Sequence, residues 1–393
     1  MKPEGWETYK LVDLVEDVAM GPFGSNLKVD NFINSGVPVI RGSNLNKGGF
    51  HKNNFVFVSE TKAKSLKRSL AYPDDLVFTH RGTIGQVGII PNTQYPYYLV
   101  SQSQMRLSVN KKYLIPRFLY YFFLSHIGQK ELLKNASQVG VPAIANPTKS
   151  LKDVNVLVPP ISEQSRIVSI LSSLDDKIEL NLMMNKTLET IAQAIFKEWF
   201  EGPKISKLTD YVDLNPKESI KKGAIVKYIE MANLPLEGFS IKSFIHRLFS
   251  AGSKFQNYDT LLARITPCLE NGKTGFVDFL NPREVGFGST EFIVMRPKVR
   301  VSPYYVYLLS RDQGFRQFAI KSMVGTSGRQ RVQTDMLYSF PIAKIELGLM
   351  EKFDKLINPF FQKIKSNSDN NTALSQIRDT LLPKLMTGKI RMK

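Results

Sequence analysis

The chain has 393 residues, with 53 Lys+Arg against 35 Asp+Glu and a formal net charge of +18. Its apolar content of 42 % is that of a folded protein rather than a disordered one, and its longest apolar run, at residues 118–124, is far short of the ~18 residues that span a bilayer. The opening Met1-Lys2-Pro3-Glu4-Gly5-Trp6 lacks the apolar stretch of a signal peptide, Cys268 is the only cysteine, and together these predict a cytoplasmic chain whose surplus positive charge meets a polyanion: DNA, RNA or an anionic membrane surface.

Residues 1–158 read as a first basic domain, with 19 basic against 11 acidic residues, net +8. Strands are predicted at residues 37–40, 76–79, 87–90 and 105–109, and a helix over 117–135. Met20-Gly21-Pro22-Phe23-Gly24-Ser25-Asn26-Leu27-Lys28 is a glycine-bounded loop ending in a cation, and Ile40-Arg41-Gly42-Ser43-Asn44 sets Arg and Asn beside Gly at a strand end. Arg suits guanine edges, Asn suits adenine, and Gly lets backbone approach phosphate. Lys28, Arg41, Asn44, His80, Arg81, Thr83, Gln102 and Gln138 are therefore the candidate DNA contacts of this half.

Residues 159–200, net −2, read as a spacer helix. Pro159-Pro160 ends the preceding strand and Ser162 is placed to cap the helix. A heptad seam follows: Ile167, Leu171, Leu174, Ile178, Asn181, Asn185, Leu188, Ala192, Ile195 and Trp199, spaced alternately by four and three. At ~1.5 Å per residue this segment reaches ~60 Å, enough to separate two DNA contacts by a helical turn or more.

Residues 201–341, net +7, read as a second basic domain, with strands predicted at 226–230, 260–263, 275–279 and 292–295 and a helix over 303–323. Gly325-Thr326-Ser327-Gly328-Arg329-Gln330-Arg331 joins flexible backbone to hydroxyls and cations with almost no apolar content. Arg264, Thr266, Lys273, Arg329, Gln330 and Arg331 are the candidate contacts here. Residues 342–393, net +5, carry a second seam: Phe353, Ile357, Phe360, Ile364, Asn367, Asn371, Leu374, Arg378, Leu381 and Leu385. Pro359 lies inside it and predicts a kink or a later start than the first helix.

The halves match at an offset near 186. Residues 74–88 and 258–275 share an acidic turn, an apolar run, a basic residue (His80 or Arg264), a Thr and a G-x-x-G end; Pro116 matches Pro303, Val139-Gly140 matches Val324-Gly325, and Val158-Pro159 matches Phe340-Pro341. The shared order reads as duplication: domain, helix, domain, helix. Asn181 and Asn185 align with Asn367 and Asn371, so both seams turn polar at the same depth. That favours mutual, antiparallel pairing about a pseudo-two-fold over two helices packed separately on their own domains, because buried Asn fixes register at a cost in stability.

Catalytic motifs fail on their residues. Residues 267–274 approach the phosphate-binding G-x-x-x-x-G-K-[ST], but Pro267 replaces the first glycine. Asn358-Pro359-Phe360-Phe361 resembles an amino-methyltransferase loop but sits in a heptad, with no glycine-rich unit for a methyl donor before it. His51, His80, His126 and His246 have no metal spacing. The expectation is binding without a reaction centre. A standalone or architectural DNA-binding protein and a nucleotide-dependent enzyme using Lys273 are the alternatives; a membrane-surface scaffold lacks an amphipathic insertion helix.

Val158-Pro159-Pro160-Ile161-Ser162-Glu163-Gln164-Ser165-Arg166-Ile167 and Ile377-Arg378-Asp379-Thr380-Leu381-Leu382-Pro383-Lys384-Leu385-Met386-Thr387-Gly388-Lys389-Ile390, with Pro3-x-Gly5-Trp6, the Gly-Pro-Phe-Gly-Ser loop and Met231-Ala232-Asn233-Leu234-Pro235, resemble the specificity subunit of Type I restriction–modification systems over essentially the whole chain. The second Pro-Pro-x-x-x-Glu-Gln departs from the pattern, as Pro341-Ile342-Ala343-Lys344-Ile345-Glu346. The resemblance implies an α+β fold of two duplicated α/β target recognition domains, separated by two long conserved helices that form an antiparallel coiled coil. It implies a non-catalytic subunit that binds double-stranded DNA at a bipartite site. Its partners would be two methyltransferase subunits, using S-adenosylmethionine on adenine, and restriction subunits, using ATP and Mg.

Overall fold

The structure is a computed structural model that describes residues 3–46, 49–50, 55–137, 139–203, 205–326 and 328–392. The chain divides into two units, residues 1–176 with 374–393 and residues 177–373. The division falls within the two long helices, so each unit takes a part of both.

In the first unit the β-branched and aromatic runs form two four-stranded sheets. The strands are β1 Val15–Met20, β2 Val37–Ile40, β3 Val56–Val58, β4 Leu70–Ala71, β5 Leu76–Thr79, β6 Val87–Ile89, β7 Tyr98–Val100 and β8 Gln104–Val109. One sheet has the order β1-β8-β5-β6 and is antiparallel throughout. The other has the order β3-β2-β7-β4, with a single parallel pair, β2 and β7, in register Leu99 to Val39. Strands β2 and β5 are buried along their whole length, which is why they read as continuous apolar runs rather than alternations.

Two helices follow, α1 Pro116–Leu124 and α2 His126–Leu132, then the long α3 Ile161–Trp199. The single helix expected over residues 117–135 is broken at Ser125, whose hydroxyl accepts from the Gly128 N–H at 3.2 Å and starts a new helix. Phe78 of β5 and Phe123 of α1 meet edge to face at 4.9 Å in the core, beside Trp6, Phe118 and Phe122. The start of α3 is locked to this core. Gln164, fully buried, donates to the Tyr113 and Pro159 carbonyls (both 2.9 Å) and accepts from the Ile115 N–H at 2.8 Å. Glu163 accepts from Trp6 Nε1 at 3.0 Å and from the Arg391 guanidinium at 2.9 and 3.0 Å. Ser162 is not the cap it was expected to be: it lies inside the helix, and the Pro160 carbonyl accepts the Glu163 and Gln164 N–H groups.

The second unit has β9 Val212–Leu214, β10 Ile225–Ile229, β11 Ile245–Leu248, β12 Ser253–Phe255, β13 Thr260–Ala263, β14 Thr274–Phe276, β15 Gly286–Gly288 and β16 Phe292–Pro297. Its sheets have the orders β9-β16-β13-β14 and β11-β10-β15-β12. Strand for strand these are the orders of the first unit, and the one parallel pair recurs in the same place, between β10 and β15. Helices α4 Pro303–Arg311 and α5 Gln313–Lys321 follow, broken at Asp312, which caps Gly314 and Phe315. The last element, α6 Leu347–Met386, passes through Pro359. The later start expected from Pro359 is not found: α6 begins 186 residues after α3, because Ile357, Phe361 and Ile364 around the proline lie in the core.

Every seam residue named above in α3 and α6 is buried or half-buried. Within the first unit, Ile167 and Leu171 share a core with Leu382 and Leu385, and Asp175 accepts from Arg378 at 2.9 Å. Within the second, Leu188 and Ile195 pack on the cluster holding Phe353, Ile357 and Ile364. There Asn181 donates to Asn371 and Asn367 donates to Asn185, both at 2.8 Å. In each unit, numbers rise along one helix as they fall along its partner. Ile178, Leu174, Leu374 and Leu381 are half-buried on the same faces.

Candidate nucleic-acid interface

The loop between β1 and β2 is shaped by two close approaches. A Cβ on Gly21 would lie 1.9 Å from the Ser101 carbonyl oxygen, so only glycine admits this packing, and Gly24 lies against the end of the Gln102 side chain, 2.4 Å from where its Cβ would be. The Gly21 N–H donates to the Gln104 carbonyl and the Asn26 N–H to the Phe23 carbonyl, both at 2.8 Å. Against this loop opens a cleft of about 1020 Å³. Its lining includes Lys67, Arg68, Arg81 and Lys152, all exposed, and no carboxylate among the described residues.

His80, Arg81 and Gln102 of the predicted contacts meet in this cleft. His80 is buried, and its Nε2–H donates to the Gln102 carbonyl at 3.1 Å. Burial, with a smaller push from the Arg81 cation, holds its pKa below the ordinary histidine value, so the ring is neutral at pH 7. Lys67, Arg68 and Lys152 escape sequence reasoning, because nothing in their local pattern separates them from other surface cations.

Arg41, Asn44 and Thr83 gather elsewhere. Asn44 is buried and closes its turn by accepting from the Arg41 N–H at 3.0 Å. The Thr83 hydroxyl donates to Gln86 Oε1 at 2.9 Å, which also accepts from Thr79, while the Gln86 amide donates to the Leu45 carbonyl. Lys28 is exposed, its N–H donating to Asn31 Oδ1 at 3.1 Å. Gln138 lies outside the described residues.

In the second unit Arg264 occupies the backbone position of His80. The N–H of His80 donates to the Ser103 carbonyl and that of Arg264 to the Glu291 carbonyl; the His80 carbonyl accepts from Ile144 and the Arg264 carbonyl from Val332. Arg264 Nη2 donates back to the Val332 carbonyl at 3.1 Å. Thr266 and Gln330 are joined twice, Thr266 N–H to the Gln330 carbonyl at 3.0 Å and Gln330 N–H to Thr266 Oγ1 at 3.1 Å. Arg331 clasps Glu291 through Nε and Nη2 at 2.7–3.0 Å, and Arg329 is exposed beside it. Lys273 is apart from this group: its ammonium donates to the Met231 carbonyl at 2.7 Å.

Much of the second unit's positive charge is used internally. Arg311 donates to four backbone carbonyls, those of Leu236, Gly238, Gly272 and Thr274. Arg296 pairs with Asp259 and Glu218, and Lys227 pairs with Glu284 at 3.0 Å. No helix among the described residues is long and apolar enough to cross a membrane.

Residues 3–190 match the family model described as the Type I restriction modification DNA specificity domain. The chain is 25 % identical to the Type I restriction enzyme MjaIX specificity subunit of Methanocaldococcus jannaschii, covering 100 % of this chain and 95 % of that one. It is 23 % identical to the HindI specificity subunit of Haemophilus influenzae, covering 88 % of this chain and 94 % of the relative. The crystal structure of a Type I S subunit from M. genitalium shares the fold, with a TM-score of 0.57 at 15 % identity over 97 % of this chain and 96 % of that one. The first half of the chain thus carries the DNA specificity domain of Type I restriction–modification systems, and the relatives to which the chain is similar along most or all of its length are specificity subunits of those systems.

Proposed function

We propose that the chain reads a bipartite DNA site through two duplicated target recognition domains, residues 1–158 and 201–341, held apart by spacer helices in residues 159–200 and 342–393 that pair as an antiparallel coiled coil about a pseudo-two-fold. The observation that carries this reading is the recurrence of one strand order with different side chains at the same backbone position. His80 is a neutral ring and Arg264 a permanent cation, so one scaffold presents two different chemistries to two half-sites.

Arg81, Gln102, Lys28 and Arg329 are exposed and suited to meet bases or phosphates. The bonded sets Arg41, Asn44 and Thr83, and Arg264, Thr266, Gln330 and Arg331, shape the loops that aim them. The chain carries no reaction of its own. It assembles with two methyltransferase subunits that use S-adenosylmethionine on adenine, and with ATP- and Mg-dependent restriction subunits, in the cytoplasm. Methylome sequencing of a host expressing the chain with its modification partner tests this, and a single bipartite methyladenine motif is expected. Full specific affinity in an isolated monomer that recruits no methyltransferase would favour a standalone DNA-binding protein instead.

A further inference from the structure

Phe23 is 81 % exposed. Single exposed apolar side chains are ordinary on protein surfaces, but this one is presented in an unusual way. Its loop is fixed by two backbone hydrogen bonds and by glycines packed against Ser101 and Gln102, with Pro22 buried beside it. The ring is therefore held out from a braced turn. It lines the same cleft as the exposed cations Lys67, Arg68, Arg81 and Lys152, and no carboxylate lines that cleft among the described residues.

A cleft of about 1020 Å³ is the size of a small-ligand pocket. It admits the backbone of one nucleic-acid strand rather than a whole duplex. Phosphates drawn to four cations on its wall bring the attached bases to its rim, where the ring stands. Proteins that deform DNA use this pairing, in which cations hold the backbone while an apolar side chain enters between bases and replaces lost stacking with its own contact.

We propose that Phe23 is a wedge that enters the base stack of the first half-site, while Lys67, Arg68, Arg81 and Lys152 hold the flanking phosphates. This rests on the DNA-specificity role proposed above and adds to it a residue that reads how readily a base step opens, a form of indirect readout.

The test uses the full chain assembled with its methyltransferase subunits, on duplexes of the methylome-defined site with 2-aminopurine at successive positions of the first half-site. Binding is expected to raise the fluorescence at one step. Phe23→Ala should abolish that rise and weaken specific binding about tenfold or more, while Phe23→Trp should keep both. Lys67→Ala should flatten the salt dependence and leave the fluorescence rise in place. A rise that survives Phe23→Ala, or no rise at any step in a complex that binds its site specifically, would overturn the wedge and leave the specificity role standing. Absence of specific binding by the wild-type complex would overturn both.

Discussion

Asn181 Nδ2 donates to Asn371 Oδ1 at 2.8 Å, with Asn181 only 1 % exposed. Beside it Asn367 donates to Asn185 at the same distance, and the spare donors of Asn185 and Asn371 turn to the Ile364 and Ile178 carbonyls. Four carboxamides thus satisfy one another in a seam that, Arg378 aside, is otherwise apolar. Any sliding of one helix on the other would leave them facing leucine and isoleucine.

Asn181→Leu should therefore destabilise the chain by about 1–3 kcal/mol, because the half-buried Asn371 Oδ1 loses its donor. The double variant Asn181→Leu/Asn371→Leu should recover most of that loss, since matched apolar pairs are tolerated in a helix seam. Urea denaturation measures both, and equal losses in single and double variants would sink the idea that the amides act as a pair. The methylated motif of the double variant should show more than one gap length. Removing one heptad from residues 167–199 should change the gap or abolish binding while the half-site sequences persist.

Glu163 gives the fold a dependence on acid. Its hydrogen-bonded pairing with Arg391, joined by the Trp6 and Met392 N–H groups, holds the carboxyl below its ordinary value of 4.5 despite burial. A lowered folded-state pKa stabilises the native state above the unfolded value, and that contribution disappears as pH falls through the folded one. The melting temperature of the wild type should thus drop more steeply below about pH 4.5 than that of Glu163→Gln. Parallel pH profiles for the two proteins would show that the clamp is not the titrating element.

Lys273→Ala should cost about 1 kcal/mol through the lost bond to the Met231 carbonyl, with no nucleotide effect to lose. Thermal melts with and without ATP check this, and an ATP-dependent shift in the wild type that vanishes in the variant would restore the enzyme reading.

Arg81→Ala should weaken binding to all DNA sequences and reduce the salt slope by about one unit, whereas Arg331→Ala should change the slope less, because that guanidinium is already paired with Glu291. Binding titrations of the assembled complex at several salt concentrations separate the two. A larger slope change for Arg331→Ala would mean that DNA displaces Glu291.

Regular elements were legible wherever a local pattern dictates them. The strands at residues 37–40, 76–79 and 260–263 formed as expected from their short apolar runs, and the alternation of four and three marked the buried faces of both long helices. The breaks at Ser125 and Asp312 were missed because apolar residues recur on both sides of them without a proline between, and only a side chain turned back to cap the next turn divides the two helices. Pro359 misled in the opposite direction. A proline's local cost of about 3 kcal/mol is outweighed by the core contacts of the residues around it.

The candidate site was harder to read. His80, Arg81 and Gln102 were named separately, and nothing along the chain shows that Lys67, Arg68, Lys152 and Phe23 line the same cleft. By itself the sequence determined the family resemblance, the two basic halves and the depth at which both seams turn polar, because these are properties of order and spacing. Which of the positive charges remain available to a partner was decided only by the tertiary structure. A charge of +7 in residues 201–341 counts Arg311, Arg296, Lys273 and Arg331 as equals of Arg329, yet the fold turns the first four onto carbonyls and carboxylates and leaves Arg329 in solvent. Net charge is additive along a chain, but the field that a polyanion meets depends on where each cation has found a partner.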